Sequence, residues 1–157
     1  MLDRKQEAAI RAEGAELYVR AVLMLELGLP VSLASRNMPG YDLLVHHPTT
    51  GDFCRVQVKY RSAIDSDGAR VKSFDFDVMA YVAGNVGRIG SAVPLSEAPR
   101  RPTEVFLIPV EVVRSGMRKL DLFPSPTRGR YEAYRDAWHV VPEFLGLAGR
   151  PRGNLAV

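Results

Sequence analysis

Two short runs between residues 41 and 59 constrain this chain more than any other feature. Tyr41-Asp42-Leu43-Leu44-Val45 is followed by a polar turn and then by Val56-Gln57-Val58-Lys59. Successive side chains of a strand point to opposite faces, so Gln57 and Lys59 share one face while Val56 and Val58 share the other. If Pro48-Thr49-Thr50-Gly51 forms a four-residue loop, His47 opposes Asp52 and a hairpin results. In that register Leu43 faces Val56, Val45 faces Cys54, Tyr41 faces Val58 and Asp42 falls opposite Gln57. One face is then continuously apolar, and the other carries Asp42, Arg55, Gln57, Lys59 and Arg61. Opposed residues have Cβ atoms roughly 5 Å apart and diagonal ones roughly 7–8 Å, which gathers Asp42, Gln57 and Lys59 at one place. A slip of one residue would expose the whole apolar set, so the register is hard to escape. A polar face of this kind is ordinarily the solvated side of an antiparallel strand. Its alternative is a site.

Upstream, residues 4 to 27 contain no proline and repeat Ile10, Gly14, Leu17, Ala21, Met24 and Gly28 at helical spacing. This predicts a helix with that row buried, stopped by Gly28 and Pro30. A neighbouring row, Glu13, Glu16, Arg20, Leu23 and Leu27, borders solvent, and from it Glu16 can reach over the edge of a sheet. The ordinary alternative for Glu16 is an i, i+4 surface pair with Arg20.

Downstream the pattern is mostly of strands. Val31 to Arg36 is a short β-like run, and Asn37 to Gly40 a turn. Asp65-Ser66-Asp67-Gly68 is a turn signal that predicts a second hairpin with its far arm over 69–75. Alternation from Phe74 to Val82 predicts a strand, with a short helix as the alternative. Residues 84–103 hold three glycines and three prolines; so long a connection is a functional loop or a surface excursion. Glu104 to Ile108 reads as a buried strand, residues 116–129 as loop, and Arg130 to Val141 as a helix presenting Tyr131, Tyr134 and Trp138. Residues 149–157 form a basic tail expected to fray. With 46% hydrophobic and 25% charged residues the chain can enclose one core, so residues 1–148 are expected to be a single domain.

Several chemistries are excluded. The lone cysteine, Cys54, allows neither an internal disulfide nor a multi-cysteine zinc site, which fits a reducing cytoplasm. The apolar run over 21–31 is broken by Glu26 and too short to span a bilayer, and no apolar signal core opens the sequence, so no membrane association is expected. No Walker-type phosphate loop and no Gly-x-Ser-x-Gly is present. His46 and His47 point to opposite faces of a regular strand and cannot chelate one ion together. What remains is Glu16, Asp42, Gln57 and Lys59. Two carboxylates and an amide oxygen are hard ligands suited to Mg²⁺, or to Mn²⁺ in its place, and the Val58 backbone carbonyl lies between the two strand side chains. Lys59 is suited to orienting or deprotonating a water and to countering charge on a phosphate. Together these parts describe metal-assisted hydrolysis of a phosphodiester.

A helix with a glutamate, an aspartate early on a strand, a turn and then Gln-x-Lys resembles the PD-(D/E)XK nuclease superfamily. The motif stands here as Pro39-Gly40-Tyr41-Asp42 followed by Gln57-Val58-Lys59. The glutamine variant is similar to the branch holding Holliday junction resolvase-like proteins and intron-encoded homing endonucleases. The likeness covers about residues 10 to 61, more loosely 76–82 and 105–111. It implies an α/β fold with a restriction-endonuclease-like core, a mixed β-sheet flanked by helices, Mg²⁺ dependence and DNA as substrate. It makes Asp42 the central metal ligand, Gln57 the second, Lys59 the catalytic amine and Glu16 the helix carboxylate. The literal Pro-Asp pair is absent, because two residues separate Pro39 from Asp42. Since Gln57 is neutral, Asp42 and Glu16 supply all the anionic charge facing an ion.

A net charge of +3 gives only a mild lean towards an anionic partner. Arg55, Arg61, Arg100, Arg101, Arg128 and Arg130 are the candidates for phosphate contact, while Tyr131, Tyr134 and Trp138 are expected in the core rather than under bases. Asp75, Asp77 and Glu104 are left outside the site as solvated acids. One site cuts one strand at a time, so concerted duplex cleavage would require a homodimer or a higher oligomer. Beside the endonuclease stand two readings from other classes: a non-catalytic nucleic-acid-binding or assembly module, and a protein-interaction domain.

Overall fold

Val78-Met79-Ala80-Tyr81-Val82-Ala83 is buried at every position, the signature of a strand covered on both faces. In the computed structural model, which describes residues 3–38, 40–63, 66–84 and 102–147, this strand (β5, Val78–Ala83) sits inside a five-stranded sheet. The others are β1 (Val31–Leu33), β2 (Leu43–His46), β3 (Phe53–Arg61) and β6 (Glu104–Pro109), in the order β1-β2-β3-β5-β6. β3 and β5 run parallel and every other neighbouring pair is antiparallel. The fold is therefore α/β with a mixed sheet flanked by helices, as expected.

The predicted hairpin register is the observed one, with Leu43 opposite Val56 and Val45 opposite Cys54. His47 donates its N–H to the Asp52 carbonyl at 2.8 Å, and its Nδ1 accepts from the Thr49 and Thr50 amides at 3.1 Å each. That imidazole thus holds the turn. His46 Nε2 lies 2.8 Å from Ser32 Oγ, and Cys54 is fully buried, its thiol pushed up to about 12 by burial.

The first helix, α1 (Arg4–Leu25), opens on a reciprocal cap in which Asp3 Oδ1 accepts from the Gln6 amide and Gln6 Oε1 from the Asp3 amide. It closes on Gly28 at φ 64°, whose N–H reaches the Met24 carbonyl while that of Leu29 reaches Leu23. Its packed face corrects the expectation. Ala15, Val19 and Leu23 are buried against the sheet, whereas Ile10, Leu17 and Met24 are 55%, 52% and 43% exposed. Both rows have helical spacing, and spacing alone could not choose between them.

The sheet separates two cores. On the α1 side lie Val45, Val56, Val78, Ala80, Val105 and Leu107, with α3 (Val140–Phe144) closing the layer through Val141. On the other side Phe76, Met79, Tyr81, Phe106 and Ile108 are covered by α2 (Val110–Gly116) and by a two-stranded ribbon of β4 (Gly68–Arg70) with β7 (Leu122–Pro124). That ribbon overturns the predicted second hairpin: β4 pairs with β7, more than fifty residues on, not with β3. Gly68, at φ 140°, lets the strands approach this way, because any Cβ there would collide with the Phe123 carbonyl.

Two further expectations fail for local reasons. The strand predicted from Phe74 begins only at Val78, since Phe74 is taken up beneath the Arg114 guanidinium, 5.1 Å from its ring centroid, and Phe76 by the second core. The predicted helix over 130–141 is replaced by a single 3₁₀ turn, Glu132–Tyr134, and α3 starts at Val140. Arg135 pairs with Glu104 at 2.8 Å and Glu132 at 2.7 Å and covers the Phe106 ring, while Asp136 turns to φ 48° and donates to the Val105 carbonyl. Tertiary contacts with β6 thus override the helical spacing. α2 and β7 were not foreseen. Within the region read as loop, Lys119–Asp121 and Pro126–Arg128 also form 3₁₀ turns. Among the described residues no helix is long and apolar enough to cross a membrane.

Candidate active site

The site is set by where β2 stops. Its ladder with β3 covers Phe53 to Val56 only, so from Gln57 onward no strand among the described residues lies beside that edge of β3. Asp42, one residue before β2, donates its N–H to the Val56 carbonyl at 2.9 Å, and its Oδ2 accepts the Val58 N–H at 2.7 Å. The carboxylate thereby takes the ladder position a further strand residue would have filled. A residue in such a ladder turns its N–H and C=O to the same neighbour, so the Val58 carbonyl faces the same open edge.

Gln57 and Lys59 project from the opposite face of β3 to Val56 and Val58, beside Met79 and Tyr81, their partners on β5. Gln57 is 9% exposed, and its Oε1 is buried without a hydrogen-bond partner. An orphaned buried acceptor costs about 1–3 kcal/mol, and such a group in a folded chain calls for an explanation. Lys59 is half-buried, and its amine is lowered first by burial; Asp42 opposes that shift while Arg61 and Lys72 add to it. Asp42 is raised mainly by burial, against the Val58 hydrogen bond and the charge of Lys59. Glu16 is raised by burial, then by Asp42, then by Glu13. Asp42 is thus within electrostatic reach of both Glu16 and Lys59. Glu16 forms no ion pair with Arg20, whose Nε is itself buried without a partner.

Asp42 is brought within electrostatic reach of Glu16 and of Lys59, and Gln57 lies on the same face of β3 as Lys59. The Asp42 carboxylate engages the Val58 backbone rather than the Gln57 side chain. Glu16 belongs to the helix layer and Lys59 to the opposite face, and Asp42, just before β2, is the residue within reach of both. Among the described residues no group of three or more His, Cys, Asp and Glu side chains is arranged to hold a metal ion. The donor set is two carboxylates, an amide oxygen lacking a partner and a backbone carbonyl. These are hard oxygens, and they fit Mg²⁺ with waters completing its shell.

The arginines expected at a phosphate backbone are largely engaged elsewhere. Arg55 is ion-paired with Asp77: its Nη2 donates to Oδ1 at 2.9 Å, and its Nε and backbone N–H both donate to Oδ2. Asp77, set aside as a solvated acid, is thus a pin at the start of the parallel β3–β5 pair, its own N–H going to the Arg55 carbonyl. Asp77→Ala is expected to lower stability by about 1–3 kcal/mol, since it strands the Arg55 backbone donor, while the third-exposed Arg55 guanidinium turns to water; urea denaturation measures this. Arg61 donates to the Gly68 and Tyr60 carbonyls at 2.7 and 3.2 Å and clamps β4 to β3. Arg130 is exposed beside the Tyr131 ring. Pro39, Arg100, Arg101, the Arg128 side chain and the tail lie outside the described residues. Exposed cations that sequence reasoning missed are Arg70, Lys72, Arg118 and Lys119 on and beside the β4–β7 ribbon. Lys72 lies near enough to Lys59 to depress its amine, so this basic surface adjoins the site. Only the long-range pairing of β4 with β7 brings these residues together, and no local pattern announces it.

No protein-family profile matches the chain, and no curated protein sequence does. Among solved structures, that of a bacterial homing endonuclease, I-Ssp6803I, is similar with a TM-score of 0.55 at 18% identity, over 91% of this chain and 98% of that one. The mixed sheet with its helix and ribbon layers is therefore a nuclease-like fold, shared along nearly the whole of both chains.

Proposed function

We propose that this chain is a Mg²⁺-dependent DNA endonuclease of the PD-(D/E)XK type. The observation that carries the reading is a pair of carboxylates, Glu16 and Asp42, within electrostatic reach of each other and both raised first by burial, with the unpartnered Gln57 Oε1 on the adjoining strand β3. Such a set is under-compensated as it stands, and a divalent cation is what would relieve it. The fold shared with a homing endonuclease supports DNA as the substrate.

Glu16, Asp42, Gln57 and the Val58 carbonyl would hold the ion. When bound, it would polarise a phosphoryl oxygen and make water a stronger nucleophile at neutral pH. Asp42 is oriented by the Val58 N–H, so its second oxygen is left for the open edge. Lys59, its proton loosened by burial, would orient the attacking water and take its proton, and in its charged form would counter charge growing on the phosphate. The exposed cations of the ribbon would steady the DNA backbone.

The test is supercoiled plasmid or branched duplex incubated with Mg²⁺, Mn²⁺ or a chelator. Cleavage in the metal arms alone, together with a rise in unfolding temperature on adding Mg²⁺ that Glu16→Gln lacks, is the expected result. Equal cleavage with chelator would sink the proposal. Affinity for DNA, measured in Ca²⁺ to hold back cleavage, is expected to fall by one to several orders of magnitude between about 50 and 200 mM salt as phosphate-bound counterions reassert themselves. The presence of only two carboxylates in the set favours, as a second reading, a module that binds DNA without cutting it. That reading predicts the same salt dependence with no metal-dependent product.

A further inference from the structure

Among the described residues, three that are not glycine stand at positive φ: Leu120 at 63°, Asp121 at 56° and Asp136 at 48°. Aspartate visits this left-handed region because its short polar side chain can bond locally, whereas leucine has no such bond and its Cβ crowds the following carbonyl oxygen. Leu120 is also 79% exposed. An exposed leucine alone needs no explanation. One held in the left-handed region while burying little against its own chain weakens the fold and gains no packing for it. The turn that carries it, Lys119–Asp121, is closed where the Arg118 N–H donates to the Leu122 carbonyl at 2.8 Å. Asparagine or glycine is the usual occupant of such a backbone.

The second observation is charge. Residues 68–72 and 118–122, the ribbon's end with its turn, hold Arg70, Lys72, Arg118 and Lys119 against one acid, Asp121. All five are exposed. Four cations less one acid leave an excess of +3, equal to that of the whole chain. The turn is also tied down beside the candidate site. The Asp121 carbonyl accepts the Val71 N–H at 2.8 Å, and Lys72, next in the chain, lies within electrostatic reach of Lys59.

We infer that Leu120 is a wedge that enters between two stacked base pairs of a DNA duplex, while Arg70, Lys72, Arg118 and Lys119 hold the phosphates around it. A duplex matches this pattern of one apolar tip among cations, since the gap between stacked bases is apolar and is bordered on both strands by phosphates. A leucine in that gap partly unstacks the step, kinks and untwists the duplex, and finds there the apolar contact it lacks in the free chain. Because Lys72 adjoins Lys59, the kink lies close to the bond to be cut. Pyrimidine–purine steps kink most easily, so they are where the chain settles. This role rests on the DNA substrate proposed above, though not on cleavage.

Untwisting can be read without cutting. Closed circular plasmid is relaxed by a topoisomerase that needs no metal, in the presence of the full chain and Ca²⁺, then stripped of protein and run on a gel. The native chain is expected to leave the plasmid negatively supercoiled in proportion to the chain bound. Leu120→Asn is expected to lose that supercoiling and keep most of the DNA affinity, which phosphate contacts dominate. Its unfolding temperature should be no lower than the native chain's, because asparagine tolerates the left-handed region. Lys119→Ala is expected to do the reverse, with a salt slope smaller by about one and the same untwisting per bound chain. Native binding with no change in linking number overturns the wedge alone, and no binding overturns it together with the DNA reading. A Leu120→Asn chain that untwists as the native one does, or that melts lower because the leucine packs within its own chain, overturns it as well. A native chain that untwists plasmid but never cuts it in Mg²⁺ upholds the wedge and removes only the endonuclease.

Discussion

Asp42→Asn is expected to reduce Mg²⁺-dependent cleavage on the order of a thousandfold or more while raising the unfolding temperature of the metal-free protein. The first effect follows from removing one of two anions that face the ion, worth several kcal/mol of transition-state stabilisation at about tenfold per 1.4 kcal/mol. The second follows from the direction of its titration. The Asp42 carboxyl is held above its ordinary range chiefly by burial, so the folded chain binds that proton more tightly than the unfolded chain does. Its contribution is fully present below the unfolded pKa and is lost as the pH rises through the folded one. At neutral pH without metal the charge therefore opposes folding. Asparagine removes the charge and keeps an oxygen for the Val58 N–H. The pair of measurements is a cleavage time course and calorimetry from acid to neutral pH. A variant that cuts as the native chain does would dismiss the role, and one that melts lower would dismiss the electrostatic account. Alanine is the poorer test, since it also orphans the Val58 N–H.

Lys59→Met is expected to lower the cleavage rate by roughly 10²–10⁴-fold, the usual range for a lost proton-transfer group, with little change in DNA affinity. The lysine's folded pKa is lowered, mainly by burial. Its contribution to stability is present above the unfolded pKa and is lost as the pH falls through the folded one. Neutral methionine is thus tolerated by the fold at pH 7. The native rate should climb with pH as the amine gives up its proton, and the methionine variant should lose that limb of the profile. Arginine should not restore it, because a guanidinium keeps its proton and presents a planar fork instead of a point charge. A lysine acting only on affinity would move KM and leave the pH profile in place.

The hairpin was legible because two local constraints agreed: the four-residue turn fixed the register and the alternation fixed the face. β6 was legible because its run is continuously apolar and ends at a proline. The packed face of α1 was not, since two rows of similar spacing compete and only the sheet decides between them. β4 was misplaced because a turn signal names the bend and not the partner, and its partner lies more than fifty residues away. The 130–141 helix failed where Arg135 answers to Glu104 on another element. The register that sets Leu43 against Val56 also brings Asp42 to the Val58 N–H, between Gln57 and Lys59 in the sequence. Arg55 and Arg61 could not be told from free cations, because Asp77 and the Gly68 carbonyl reach them only through the folded chain.

The short β2 has a further consequence. Beyond Val56 no strand among the described residues covers the edge of β3, and an uncovered edge is the usual starting point of sheet-to-sheet aggregation. Asp42 already occupies its first amide, and the half-buried charge of Lys59 stands one residue along. A strand arriving there would have to displace the one and desolvate beside the other. The groups proposed for cutting DNA would thus also keep the sheet from growing, and variants that neutralise them are expected to aggregate more readily.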